Sequence, residues 1–461
     1  PQVFAKGGFD VIIGNPPYGA KVSKVDLNFF VEKYKDSGLN KIFSDTYISF
    51  YILGLNSLLK NDGLLGYIAP NTWRLVSNGL EFRKFITSDK FSIIKIIQHT
   101  EKVFSDATVD VDTVIVKKQN QIDKTEIVIG ELNKNYFKHK ISQSILYNQE
   151  YINLFLTESS YDLKSKIENN SKLAKSLFEI KNGIKPYEVG KGKPAQTKEI
   201  LQTKPYTSET RLDDSFTPLI GGSSFYKYQL LWNNDYWIKY GEWLAAPRSK
   251  DIFDAKEKLI FRQTSDKLIG MHVTDGFIMR NNTHIILSKN GIDINLKYAL
   301  SVLNSKLLNY YYQLINPEKG EALAEVKAFH LENMPLKDIS KIEQNPFIKR
   351  ADLMLSSNKE LQEILSRFQR TLQRKFNLDS LPKKLENWYE LSFTEFVKEL
   401  AKKKIKLSLS EEAEWEDYFL QEQQKAVAIK NEIVATDKAI DKMVYELYGL
   451  SEEEISIVEN S

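Results

Sequence analysis

Nine residues near the start of the chain bring together groups that could do chemistry: Asp10-Val11-Ile12-Ile13-Gly14-Asn15-Pro16-Pro17-Tyr18. The Asn15 carboxamide oxygen and the Pro16 carbonyl are hydrogen-bond acceptors. Pro16 and Pro17 have φ fixed by their rings, which holds those acceptors in place. The Tyr18 ring offers a face on which a planar group can stack. Two acceptors beside a stacking face suit a flat molecule bearing an NH2 that must exchange one hydrogen for something else. The competing reading is an ordinary surface turn, because Asn-Pro is a common turn signal.

The elements around the motif favour the chemical reading. Asp10 to Ile13 is a short apolar run that reads as a buried strand, ended by Gly14. Open α/β sheets bind ligands beyond the carboxyl ends of their strands, which is where Asn15 to Tyr18 falls. Tyr47 to Leu59 has apolar residues at helical spacing and meets a helix stop at Asn61-Asp62-Gly63. Leu64 to Trp73 reads as a strand running into a loop. Phe91 to Gln98 and Val109 to Val116 read as strands, and Glu101 to Phe104 as a loop.

On these residues the chain resembles the amino methyltransferases that use S-adenosylmethionine, above all the DNA adenine-N6 enzymes. The stretch from the helix through Gly63 to Pro70-Asn71-Thr72-Trp73 resembles the next block of the large restriction-modification members. The resemblance implies a partial Rossmann-like methyltransferase sheet over residues 1–150. It makes Asn15, Pro16, Pro17 and Tyr18 catalytic, with Tyr18 and Phe104 stacking on the two faces of an extruded adenine. Acceptance of both N6 hydrogens would localise the amine lone pair. The resemblance implies no metal at this step, and Mg2+ only for a nuclease domain not present here. The family holds S-adenosylmethionine through a Gly-rich turn that lies upstream of this motif. The Gly190-Lys191-Gly192 sequence lacks a preceding apolar strand and reads instead as a flexible basic loop. The expectation is therefore a C-terminal part of a longer enzyme, inactive by itself.

Residues 151–340 change character, with a polar helical stretch over 161–178, then short strands, many aromatic residues and a helix over 297–314. Gly183-Ile184-Lys185-Pro186, Leu259-Ile260-Phe261-Arg262, Leu303-Asn304-Ser305-Lys306-Leu307 and a closing Pro335 resemble the specificity domain of TaqI-like methyltransferases and of single-chain, type IIG restriction-modification enzymes. The resemblance implies a mixed α/β target-recognition domain bound to double-stranded DNA. Lys185, Tyr187, Lys191, Lys193 and Lys250 are candidates for backbone contacts. Arg248, Arg262, Arg280, Asn281 and Asn282 could pair with base edges. Each of these could equally be a solvated surface group. Residues 341–461 read as a helical region in which Gly449 stops a helix and Ser451 caps the next.

Composition narrows the classes. At 461 residues the chain is long enough for two or three cores. Its lack of cysteine excludes disulfides and thiolate metal sites, and suits a cytoplasmic protein. Five scattered histidines have no zinc-ligand spacing, and no apolar run has membrane length. Residues 351–461 carry 16 Lys and Arg against 22 Asp and Glu, a net −6 that leaves +9 on residues 1–350. A basic body suits a nucleic-acid partner. Two alternatives stand beside the DNA methyltransferase: a DNA-binding specificity module that is inactive alone, and a methyltransferase acting on another NH2, in an RNA base or a protein glutamine.

Overall fold

A computed structural model of the chain describes residues 2–20, 22–35, 45–101, 103–104, 109–119, 123–131, 134–147, 149, 151–274, 276–316 and 324–461. The chain divides into two compact units, Pro1–Lys166 with Leu314–Pro317, and Ile167–Gln313 with Glu318–Ser461.

The first unit is built on a six-stranded sheet. Its strands are β1 (Phe9–Gly14), β2 (Leu59–Pro70), β3 (Ser92–His99), β4 (Val111–Lys117), β5 (Lys124–Glu131) and β6 (Lys134–Ser142). Their spatial order is β1-β2-β4-β3-β5-β6. β1 and β2 are parallel, and β4 lies antiparallel between β2 and β3. β1, β2 and β3 therefore point the same way, and the loops leaving them emerge along one edge. The crossover from β1 to β2 passes through α1 (Lys24–Tyr34) and α2 (Thr46–Leu53), as a parallel pair requires. Ile93, Ile96, Val114 and Val116 suit the pleated interior. They pack with Tyr47, Tyr51, Trp73 and Phe82 into one core.

Two expectations are corrected here. β1 is not a buried strand: among the described residues it has a neighbour on one side only, and Val11 and Ile13 are 52% and 83% exposed. Its apolar run fits a covered strand, but no described residue covers that face. The helix expected over 47–59 is α-helical only to Leu53 and widens into a π-helical turn over Gly54–Leu58. Asn61-Asp62-Gly63 lies inside β2 as a bulge, where pairing jumps from Phe9–Leu59 to Val11–Leu64. Asp62 takes the left-handed backbone there, φ 66°, which Asp tolerates better than most residues.

The second unit holds two four-stranded sheets. The strands of these two sheets are β7 (Phe178–Asn182), β8 (Thr207–Ser208), β9 (Phe216–Ile220), β10 (Trp237–Lys239), β11 (Glu257–Arg262), β12 (Gly270–Thr274), β13 (Ile278–Met279) and β14 (Thr283–Ser288). One sheet runs β13-β9-β10-β8 and the other β12-β11-β14-β7. Leu219, Ile220, Ile260, Met279 and Ile285 join them in a shared core. The stretch 161–178 is helical only to Glu168 and again over Ala174–Leu177, with a short strand between. The helix expected over 297–314 is two, α4 (Leu296–Asn304) and α5 (Lys306–Ile315), broken at an extended Ser305.

The C-terminal region is helical: α6 (Lys341–Phe376), α7 (Phe393–Lys402), α8 (Leu409–Leu447) and α9 (Glu452–Glu459). α6 and α8 run antiparallel, since Arg350 meets Met443, Ser357 meets Glu432 and Arg367 meets Glu422. They belong to the same compact unit as the strands from 178 to 288. Tyr298 of α4 packs edge-on against Phe347 of α6 at 5.3 Å.

Candidate catalytic loop and nucleic-acid interface

Gly14 is the last residue of β1, where a side chain would crowd its neighbour. A Cβ at Gly14 would meet the Tyr67 ring at 3.0 Å, and one at Gly54 would meet Leu65 at 2.6 Å and the Tyr67 hydroxyl at 3.2 Å. The Tyr67 ring thus lies against the end of β1 and the last turn after α2, and Tyr51 meets it edge-on at 5.0 Å. Above this floor Pro16 is buried, Asn15 and Pro17 are exposed, and Tyr18 is half-buried against the core. The loop's far end is tied to the start of α2: Gly19 N–H donates to Asp45 at 3.2 Å and Thr46 N–H to the Ala20 carbonyl at 3.2 Å. Among the described residues, neither the Asn15 carboxamide nor the Pro16 carbonyl has a hydrogen-bond partner. An exposed carboxamide and a buried prolyl carbonyl, both without a partner among the described residues, therefore stand beside a half-exposed aromatic ring.

Two further loops share this edge of the sheet. β2 ends at Pro70 and passes through Asn71 into α3 (Thr72–Leu75). The loop from Thr100 to Asp110 leaves β3, three strand positions from β1, or about 14 Å. It returns to β2, where Asn71 N–H donates to the Asp110 carbonyl at 3.0 Å. Phe104 lies in this loop and is half-buried. Its neighbours at 102 and 105–108 lie outside the described residues. His99, at the end of β3, contacts the Thr113 hydroxyl at 2.9 Å, and burial pushes its imidazole pKa down.

The group that anchors this edge is an ion pair that sequence reasoning missed. Arg74 donates twice to Asp112, at 2.5 and 3.2 Å, and once each to the Ile152 carbonyl and to Gln98. The two side chains are 3% and 0% exposed. The signal available in the sequence was a single carboxylate in the apolar run Val111-Asp112-Thr113-Val114, since a buried charge requires a partner. Thr72 is held as well, by the Tyr47 hydroxyl at 2.9 Å.

In the second unit the candidate DNA contacts separate into two groups. Gly183, Arg248 and Arg280 converge: Arg248 Nε donates to the Gly183 carbonyl at 3.3 Å, and a Cβ at Gly183 would strike the Arg280 carbonyl at 2.2 Å. Lys185 pairs through its backbone with Ala246, two residues before Arg248. Its ammonium holds Glu188 at 2.6 Å, which keeps that carboxyl below its ordinary pKa. Arg280 reaches the Tyr236 hydroxyl at 3.2 Å, Asn281 binds Ile184 through its backbone, and Asn282 caps the Gly222 N–H at 3.1 Å. Lys191, Lys193 and Lys250 are exposed.

The loop carrying Lys191 and Lys193 is tied down rather than free. Gln196 is buried and bridges the carbonyls of Pro186 and Trp243, both at 2.8 Å. Lys193 N–H donates to the Glu242 carbonyl at 2.9 Å. Gly192 has φ 88°, and a Cβ there would lie 2.4 Å from the Trp243 carbonyl, so only glycine fits.

Tyr187 and Arg262 are half-buried and have partners within the domain. The Tyr187 ring stacks on Tyr206 at 5.8 Å, and its hydroxyl accepts from Tyr206 N–H at 2.8 Å. Arg262 Nε donates to the Phe225 carbonyl at 3.0 Å, and its guanidinium lies over the Tyr226 ring at 5.4 Å. Burial pushes its pKa down. Both side chains are held by internal partners and brace the domain.

Comparison with known families assigns the segments. Residues 1–104 match the Eco57I restriction-modification methylase family, and residues 217–336 match the TaqI-like C-terminal specificity domain. These two stretches are similar to a restriction-modification methylase and to a TaqI-like specificity domain. Residues 340–444 match a domain of unknown function. A protein of Methanocaldococcus jannaschii described as a type II restriction enzyme and methyltransferase is 24% identical over 322 residues, covering 67% of this chain and 26% of that protein. The type II restriction enzyme and methyltransferase Eco57I of Escherichia coli is 28% identical over 203 residues, covering 43% of this chain and 19% of Eco57I. The chain thus spans about a quarter or less of the length of these curated relatives. Among solved structures, the type IIL restriction-modification enzyme MmeI in complex with DNA superposes with a TM-score of 0.51 at 13% identity, covering 97% of this chain and 55% of MmeI. At that identity the likeness is one of fold.

Proposed function

We propose that this chain is the catalytic-loop and target-recognition portion of a site-specific DNA adenine-N6 methyltransferase within a single-chain restriction-modification enzyme. The observation that carries the reading is the pair of unpartnered acceptors, Asn15 and Pro16, at the carboxyl end of β1 in a methylase-family segment. In this reading both accept hydrogens from the exocyclic amine, Tyr18 stacks on the flipped base, and Phe104 approaches the opposite face. The duplex is held by the specificity domain, with Lys185, Arg248 and Arg280 on one face and Lys191, Lys193 and Lys250 supplying further cations.

The methyl donor in the complete enzyme is S-adenosylmethionine, as the methylase family implies. The described residues do not fit it. Gly190-Lys191-Gly192 lies in the second unit and follows no strand of the six-stranded sheet. No step through the donor is derived from these residues. The open edge of β1 favours a second aspect of the same reading: this chain binds duplex DNA but does not turn over by itself.

Calorimetric titration tests both aspects. The chain should bind a random-sequence duplex with affinity that falls steeply with salt, and should not bind S-adenosylmethionine alone. Failure to bind duplex even at low salt would overturn the recognition reading. Tight donor binding would overturn the assignment of the donor site to residues outside this chain.

A further inference from the structure

Helix α6 presents two faces. Leu361, Ile364, Phe368 and Leu372 are buried, and Phe368 meets Phe419 of α8 at 6.0 Å. On its other side Leu355 packs against the core of the specificity domain. Continuing along that side at helical spacing, the apolar character stops. Lys359, Gln362, Ser366 and Arg370 follow instead, and they line a cleft of about 540 Å3 opposite Trp232 and Phe277. A helix that merely packed on its own sheet would keep an apolar stripe there.

The polar side chains of this cleft have no internal purpose. Among the described residues, Lys359, Gln362, Ser366 and Arg370 make no side-chain hydrogen bond or ion pair. The floor is aromatic: Trp232 and Phe277 meet edge-on at 5.6 Å. One carboxylate, Glu363, lines the cleft beside the two cations, and His272 opposite is already paired with Glu257 at 3.1 Å.

The cleft is continuous with the recognition face. Trp232 Nε1 donates to the Tyr236 carbonyl at 2.9 Å, and the hydroxyl of the same tyrosine contacts Arg280 at 3.2 Å. Phe277 is three residues from Arg280 across β13. A polyanion lying on Arg280 and Arg248 therefore has a polar, cationic groove beside it in the same unit.

We propose that this groove receives the sugar-phosphate backbone of duplex DNA flanking the recognised bases, which makes the helical segment of unassigned function the second wall of the DNA-binding surface. The proposal rests on the reading of this chain as DNA-binding. Lys359 and Arg370 contact phosphates, while Gln362 and Ser366 supply neutral hydrogen bonds. The groove positions the duplex and does not read its sequence.

Fluorescence anisotropy of the whole chain with a labelled random-sequence duplex, over a salt series, tests it. Lys359→Glu with Arg370→Glu should lower affinity at least about tenfold and flatten the slope of log affinity against log salt by about two. The milder Lys359→Gln with Arg370→Gln should flatten the slope similarly, and thermal melting checks that both variants are folded. Lys349→Glu with Lys430→Glu makes the same charge change on α6 and α8 away from the groove, and should leave the slope near that of the unaltered chain. An unchanged slope in the groove variants, with the unaltered chain still binding duplex, overturns the groove and leaves the recognition reading standing. Equal loss in both glutamate pairs reduces the effect to net charge and also overturns the groove. No duplex binding by the unaltered chain overturns both.

Discussion

Asn15 and Pro16 stand out at the scale of single residues because their acceptors are held in place yet have no hydrogen-bond partner among the described residues. Rigid neighbours place them there: two prolines, the Tyr67 ring under Gly14, and the tie from Gly19 to Asp45. Asn15→Ala in the complete enzyme removes one acceptor and keeps the loop. Methyl transfer should fall by about 10²–10³-fold or more, while DNA affinity measured by anisotropy stays the same; retained turnover would remove Asn15 from the reaction. The Arg74–Asp112 pair makes a different kind of contribution. Asp112→Ala would strand a buried guanidinium, and breaking such a pair costs about 3–5 kcal/mol. Urea unfolding should show that loss, and a change below about 1 kcal/mol, the range of exposed pairs, would mean that solvent reaches the site.

At the scale of elements, the break between α4 and α5 is instructive. Lys297 to Leu314 reads as one helix because its apolar spacing continues through Ser305. The structure divides it, and the first N–H of α5 donates to Asp441 of α8 at 2.8 Å. A carboxylate from a distant helix thus caps α5, a device invisible in local sequence. Burial pushes the Asp441 pKa from 3.8 up to about 6, against the opposing pull of the Lys306 amide and of Lys227. The folded state therefore binds this proton more tightly than the unfolded chain does. The contribution of Asp441 to stability is fully present below pH 3.8 and is lost as pH rises through about 6. Asp441→Asn keeps an acceptor for the cap and removes the titration. Denaturant melts should show the variant gaining relative to the parent as pH rises from about 4 to 7, by an amount on the order of 1–3 kcal/mol. A constant difference across that range would mean that Asp441 titrates normally.

At the scale of the whole molecule, the charge imbalance seen in the sequence acquires places. Lys191 and Lys193 stand on a loop that Gln196 and the 242–243 backbone hold rigid, so their charges are presented at little entropic cost. Reversing both should weaken duplex binding and flatten its salt slope by about one to two; an unchanged slope would move the phosphate contacts elsewhere. Much of this chain was legible before folding. The strand–Gly–Asn-Pro-Pro-Tyr signal, the β-branched runs of β3 and β4, and the helix stop at Gly449 are local, set by backbone preferences and side-chain size over a few residues. Roles that depend on distant neighbours were not legible. Tyr187 and Arg262 carry the composition of DNA contacts, and their internal partners, Tyr206 and Phe225, cannot be read from the local sequence. Asp10 to Ile13 carries the composition of a buried strand and lies at an open edge. Residue type determines which interactions a group is able to make, and that much the sequence settled by itself. Which of those interactions are satisfied within the protein, and which remain open to a ligand, depends on which groups the sheets and helices bring within bonding distance, and only the tertiary structure decided that.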